Sequence, residues 1–248
     1  MEEKQLKTST GQRVAIGIIA AIMLGSIIAS YAAIIVGNSN KSDSSNKGLS
    51  EERMTHYEDN YAEKLAVFKE ASRSDYEKFV PYASEVKAYN ETSANESGVR
   101  SRDLLAGTGR EIGNDDKDYL AYYIGWCADE SIFDSSFDSN TNPTAFANAL
   151  DVSAGVIEGW YQGMTGAKLG GVREITIPGV LAYGDKTEIC GGYNKPLKFI
   201  VMPVAAEEPL KTAAADVNMA TMMLQYASYG MDYEKEMASQ STSGTSGQ

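Results

Sequence analysis

The run from Ala154 to Gly184, AGVIEGWYQGMTGAKLGGVREITIPGVLAYG, constrains the fold more than any other stretch of the chain. Val156, Ile157 and Trp160 fall at helical spacing, which places them on one face of a short helical turn. Gly163, Gly166, Gly170 and Gly171 then break that period in favour of turns. From Val172 to Pro178 the pattern alternates and enters a β-strand.

Two further clusters flank this run. Upstream stand Tyr122-Tyr123-Ile124-Gly125-Trp126 and then Ile132-Phe133-Asp134-Ser135-Ser136; downstream stand Pro196-Leu197-Lys198-Phe199-Ile200-Val201. In chain order these make a Tyr-x-Gly strand, Phe-Asp-Ser-Ser, Val-Ile-x-Gly-Trp, a strand leading to Leu-Ala-Tyr-Gly, and a final Leu-x-Phe strand. That ordered set resembles the FKBP-type peptidyl-prolyl cis-trans isomerases. The resemblance covers roughly residues 100 to 206, under half of the chain, and opens at Asp103 to Gly109, where the family often has a Gly-x-Gly strand. It implies an α+β fold, an FKBP-like antiparallel β-sheet wrapped on a short helix, here joined to an N-terminal transmembrane helix and flanking α-helices.

A chain of 248 residues with 43% hydrophobic content holds one globular domain with appendages, and about 100 residues suffice for a stable core. The formal net charge of -12 argues against a nucleic-acid partner, since no basic stripe is present to meet phosphates.

Val14 to Val36 carries no charge and, at 1.5 Å per residue, reaches about 34 Å, enough to cross a hydrocarbon core of roughly 30 Å. It reads as a membrane helix. Lys4, Lys7 and Arg13 precede it and Lys41 and Lys47 follow, a slight bias toward a cytoplasmic N-terminus. The competing reading is a cleavable signal peptide ending near Ser30-Tyr31-Ala32, although Ile34-Ile35-Val36 continue the apolar run past it. Either reading sends the globular part out of the cytoplasm. Gly17, Ala21, Gly25, Ala29 and Ala33 recur every four residues and offer a face for helix-mediated self-association, against the plain fact that small residues abound in such helices.

The expected organisation is a cytoplasmic N-terminus over 1–13, the transmembrane helix over 14–36, a flexible tether over 37–49, a helical segment and linker over 50–98, the isomerase domain over 99–206, a C-terminal helix over 207–238 and a disordered tail over 239–248. Ser50 can cap a helix whose first turn carries Glu51 and Glu52, with Met54, Tyr57, Tyr61, Leu65 and Phe68 on its apolar face. Tyr76 to Tyr89 has helical spacing but contains Pro81, which starts or kinks it; Asn90 to Gly98 reads as a polar linker. Pro209 can open a helix along which Leu210, Ala213, Val217, Ala220, Leu224, Ala227 and Met231 repeat with a period near 3.5. So narrow a stripe needs a partner helix, either the Ser50 to Phe68 helix of the same chain, or a client protein or second copy.

The single histidine, His56, lies far from the motifs, which leaves the domain no histidine-based nucleophile or relay. Two cysteines and one histidine make no zinc site, and no phosphate loop of the Walker type is present, so no metal and no cofactor are expected. Prolyl isomerisation needs none of these groups. Its barrier is loss of amide resonance as the C–N bond twists, and an apolar, water-poor pocket with a few oriented polar groups can favour the twisted amide.

The resemblance implies proline-containing polypeptides as substrates and a specific set of residues. Trp160 forms the pocket floor, and Tyr123, Phe133 and Phe199 its walls. Val156 and Ile157 form the edge under the peptide, with the Ile157 amide as a donor. Tyr183 donates its hydroxyl to a substrate carbonyl, and Asp134 faces the twisting carbonyl and orients nearby tyrosines. The catalytic set is thus Tyr123, Phe133, Asp134, Ile157, Trp160 and Tyr183; Val156, Phe199, Phe146 and Ile189 make up the substrate-binding set.

The chain departs from the family twice. Thr144 follows Pro143 where an aromatic usually lines the pocket, so Phe146, kept in the substrate-binding set, is expected to turn toward the core. In the loop after Tyr183, Ile189-Cys190-Gly191-Gly192 replaces the usual Ile-Pro pair. Cys127 and Cys190 are either an intradomain disulfide formed outside the cytoplasm or two unpaired small hydrophobes. The expected role is assistance to exported proteins folding at the outer face of the cytoplasmic membrane; the alternative is a binding module or chaperone whose pocket turns over weakly.

Overall fold

The structure, a computed structural model, describes residue 49 and residues 51–235. The Val14 to Val36 run with its small-residue face, the cap read at Ser50 and the tail from residue 239 lie outside them. Among the described residues no helix is long and apolar enough to cross a membrane.

The chain forms helix α1 (Glu51–Ala71), α2 (Arg73–Phe79), a 3-10 turn (Val80–Glu85), α3 (Glu91–Glu96), strands β1 (Arg100–Leu105), β2 (Leu120–Trp126), β3 (Ile132–Ser135) and β4 (Leu150–Asp151), helix α4 (Glu158–Met164), strands β5 (Val172–Ile177) and β6 (Leu197–Val204), and helix α5 (Leu210–Ser228). The six strands make one sheet in the order β1-β5-β6-β2-β3, with β4 pairing to β2, and every pairing is antiparallel. Strand β2 is buried along its whole length. Its alternate side chains serve different cores: Ala121 and Tyr123 face α4, whereas Leu120, Tyr122, Ile124 and Trp126 face α1, α2 and α5.

Three expectations need correction. Val156 and Ile157 are not on a helix; α4 begins at Glu158, with Ile157 extended at its N-cap (φ -62°, ψ 148°). Gly163 does not break the helix but lies within it. The helix rests so closely on β5 that a Cβ on Gly159 would come within 2.2 Å of Ile177 Cγ2, and one on Gly163 within 2.9 Å of Ile175 Cγ2. Glycine there serves contact, which spacing alone cannot distinguish from a turn. The third concerns residues 90–98, where the polar stretch contains α3, capped by the Asn90 side chain accepting from the Ser93 amide at 2.8 Å and anchored by buried Ala94.

Helix α5 lies antiparallel along α1, so the partner of its Ala-lined stripe is in the same chain. Ala213, Ala214 and Val217 share one buried cluster with Phe68, and Leu224 and Ala227 share another with Tyr57. The repeat extends to Met231 in the sequence, but the helix ends at Ser228, and Gly230 (φ 75°) turns the chain back.

That turn delivers Asp232 and Glu234 to the start of α1. Arg53 Nη2 donates to Asp232 Oδ1 and to Glu234 Oε2, each at 2.8 Å, and the Tyr57 hydroxyl donates to Asp232 Oδ1 at 2.9 Å. Hydrogen bonding to Arg53, foremost, holds the Asp232 carboxyl at about 2 and lowers Glu234. A depressed carboxylate stabilises the fold above its unfolded value of about 4 and loses that contribution as pH falls through its folded value. The latch is therefore expected to release between about pH 4 and pH 2. Near-UV circular dichroism of the tyrosines should follow it, and Arg53→Gln should abolish that part of the acid transition.

Candidate active site

The face of the sheet against α4 carries an aromatic cavity lined by Tyr123, Phe133, Asp134, Leu150, Gly155, Val156, Ile157, Trp160, Tyr183 and Phe199. Trp160 enters from the first turn of α4, and its indole N–H donates to the Tyr119 hydroxyl at 3.1 Å, which fixes the ring plane. Around it the rings meet edge to face: Tyr123 at 5.8 Å and Phe199 at 5.3 Å between centroids, with Phe133 a further 5.6 Å from Phe199. Gly125 makes this crowding feasible, because a Cβ there would come within 2.7 Å of both Phe133 and Phe199.

One wall is polar. Asp134, on β3, is 1% exposed, and the Tyr123 hydroxyl donates to its Oδ2 at 2.5 Å. Burial, and after it the Asp134 charge, pushes the Tyr183 phenol up to about 12 and Tyr123 well above its ordinary value. Both tyrosines thus stay protonated at neutral pH, as hydrogen-bond donors beside a carboxylate.

The structure brings together Tyr123, Phe133, Asp134, Ile157, Trp160, Tyr183, Val156 and Phe199 at this cavity. Two residues of the substrate-binding set are elsewhere. Phe146 is fully buried on the opposite face of the sheet, stacked on Tyr122 with centroids 4.0 Å apart. It is drawn there because the preceding loop is tied to α1 and α2: Thr144 donates to Asp138 through backbone and hydroxyl, Lys69 bridges to the same carboxylate at 3.0 Å, and the Tyr76 hydroxyl donates to the Pro143 carbonyl at 2.7 Å. Ile189 is also buried, in a tight turn closed by reciprocal backbone bonds with Gly192, and packs beneath its loop instead of lining the cavity. Conversely, Leu150 and Gly155 line the cavity and were not foreseen. Gly155, next to Val156-Ile157 and in a positive-φ conformation (103°), left a sequence trace; Leu150, in a two-residue strand, left none.

Cys127 and Cys190 form a disulfide, with Cα atoms 5.5 Å apart and a sequence separation of 63. It ties the end of β2 to the loop that follows Tyr183. Cys127→Ser with Cys190→Ser is expected to cost about 2–4 kcal/mol of stability in denaturant titrations. Wild-type stability for the double variant would mean that the bond does not constrain the unfolded chain.

An antiparallel sheet closed on a short helix carries an aromatic cavity with a few fixed polar groups at its wall and, among the described residues, no histidine beside it. The sequence profile of FKBP-type peptidyl-prolyl cis-trans isomerases matches residues 110–202. An FK506-binding protein of Neisseria meningitidis serogroup B is 36% identical over 90 residues, spanning 35% of this chain and 75% of that protein. Its serogroup A counterpart is 33% identical over 105 residues, 41% of this chain and 87% of that one. A chloroplastic peptidyl-prolyl cis-trans isomerase of Arabidopsis thaliana, FKBP13, is 33% identical over 108 residues, 41% of this chain and 50% of the plant protein. The chain belongs to the FKBP-type peptidyl-prolyl cis-trans isomerases and is an enzyme of that type. Helices α1, α2, α3 and α5 lie outside the matched residues.

Proposed function

We propose that the cavity floored by Trp160 receives the prolyl ring and that its polar wall stabilises the twisted amide, in an enzyme held at the outer face of the cytoplasmic membrane and acting on exported proteins as they fold. The carrying observation is the placement of the Asp134–Tyr123 pair and Tyr183 at the rim of an otherwise apolar aromatic cavity. Removing the ring from water and offering it fixed dipoles favours the state in which amide resonance is lost. Trp160 is the floor, Val156 and Ile157 the edge along which the peptide lies with the Ile157 amide as donor, and Tyr183 the donor to a substrate carbonyl. Asp134 faces the carbonyl that turns and holds Tyr123 in place. Neither Asp134 nor the tyrosines transfer a proton.

The location rests on the uncharged Val14 to Val36 run and is supported by the Cys127–Cys190 bond, since disulfides persist in oxidising compartments. Protease protection of the domain in intact cells, with digestion once the outer face is exposed, is the expected result; an accessible domain in inside-out vesicles would overturn it.

A second reading, a binding module or chaperone with weak turnover, is favoured by Thr144, which is occupied with Asp138 and supplies no aromatic side chain at the position after Pro143. Real-time NMR exchange of cis and trans proline, on the full-length chain with several residues before proline, separates the two. Acceleration by wild type that falls at least tenfold in Trp160→Ala is expected; a folded wild-type chain that accelerates none of the peptides would leave the binding module.

A further inference from the structure

The two ends of the sheet's outer face are finished differently. Over β2 and β6, Ile124, Trp126, Ile200 and Met202 are covered by the helices. Toward β1 the face turns polar: Arg100 stands opposite Thr176, and Thr176 opposite Lys198, while Arg102 stands opposite Glu174. These side chains line a cavity of about 340 Å³ whose far wall is Tyr89 and the start of α3. Strand β1 is the sheet's edge, and no strand among the described residues pairs with its outer side. Arg100 to Asp103 are exposed.

The charges here are unequally matched. Lys198 Nζ is 2.8 Å from Glu174 Oε1 and lies over the Tyr89 ring, 5.5 Å from its centroid. Arg102 donates to Glu174 Oε2 at 3.0 Å and to Glu85 Oε2 at 3.3 Å. Glu174 and Glu85 are therefore taken, and Glu91 at the start of α3 pairs with Lys195 at 2.8 Å. Arg100 reaches only the Ser93 carbonyl, at 3.3 Å, and no carboxylate among the described residues. In a chain of net charge -12 this is an uncompensated guanidinium beside an open strand edge.

We propose that this edge takes up an extended polypeptide segment bearing an acidic side chain. The segment adds antiparallel or parallel to β1 through main-chain hydrogen bonds, and its carboxylate enters the cavity to pair with Arg100. Strand addition supplies the sequence-independent hold, because an edge strand presents alternate N–H and C=O groups outward. The carboxylate–guanidinium pair, charge-assisted and able to form two parallel bonds, supplies register. The acidic remainder of the surface repels such a segment elsewhere and directs it to this edge. The site lies on the face opposite Trp160, so a chain held here leaves the isomerase cavity open. It gives the enzyme a second grip on an unfolded client that does not depend on proline.

The probe is a proline-free peptide, Thr-Val-Glu-Val-Thr, acetylated and amidated and titrated into the full-length chain by NMR and calorimetry. Two controls accompany it, one with glutamine for glutamate and one N-methylated at alternate amides. The expected result is binding that shifts β1 resonances and weakens at least tenfold in Arg100→Glu and with the glutamine peptide, and that is lost on N-methylation. Isomerisation of a short proline peptide should be unchanged in Arg100→Glu, which also reports that the variant is folded. Equal binding by wild type and Arg100→Glu would overturn the proposal. So would equal binding of the N-methylated peptide, which would make the cavity a site for small anions only.

Discussion

Asp134→Val is expected to lower kcat/KM for proline isomerisation about ten- to a hundredfold while leaving the domain folded, each tenfold corresponding to about 1.4 kcal/mol of transition-state stabilisation. The substitution keeps the approximate bulk of a side chain that is 1% exposed but removes the acceptor of the 2.5 Å bond from Tyr123. Two losses combine: under the proposed function no carboxylate faces the turning carbonyl, and the Tyr123 hydroxyl is left buried without its partner, at about 1–3 kcal/mol. Because Tyr183 sits at about 12 and Tyr123 is raised well above its ordinary value, neither changes protonation near neutrality. The tyrosines accordingly give the wild-type rate no pH dependence between about pH 6 and 8, well below their ordinary value of about 10. The assay is real-time NMR exchange, with proton spectra confirming the fold. A folded Asp134→Val enzyme with wild-type kcat/KM would remove the carboxylate from the mechanism.

Phe68→Ala should have the largest effect on stability, about 3–5 kcal/mol, or roughly 10 °C in melting temperature. Phe68 is fully buried where α1 crosses the sheet, its ring 6.4 Å from that of Tyr122 and close to Ala213, Ala214 and Val217 of α5. Small residues on α5 let the helix approach closely, so little is free to collapse into the space an alanine would leave. Isomerase activity well below the melting point should change less than twofold, because the cavity lies on the other face. A melting temperature within 2 °C of wild type would mean that α1 and α5 are an appendage and not part of the folded unit.

The residues that line the cavity were legible because they are few, large and carried by short contiguous motifs. Phe133-Asp134 and Val156-Ile157 with Trp160 each place neighbouring side chains at one site with little help from the rest of the chain. What misled was any signal with two physical meanings. Gly163 read as a helix breaker, yet with Gly159 it is the contact between α4 and β5. Phe146 and Ile189 stand near motif positions in sequence but are pulled beneath their loops, one by bonds from Asp138, Lys69 and Tyr76, the other by the turn with Gly192. Leu150 reaches the cavity only because β4 pairs with β2.

By itself the sequence determined which segments alternate or repeat, the run without charge at Val14 to Val36 and the family whose motifs it carries, because these depend on the spacing of side chains along one backbone. Only the tertiary structure decided that α5 rests on α1 of the same chain, that Cys127 reaches Cys190, and that Arg100 stands at an open sheet edge with no carboxylate among the described residues. Each of these is a pairing between residues distant in sequence. Local pattern specifies that a surface must be covered or a charge matched, but the partner is chosen by which elements the packed sheet brings within contact distance.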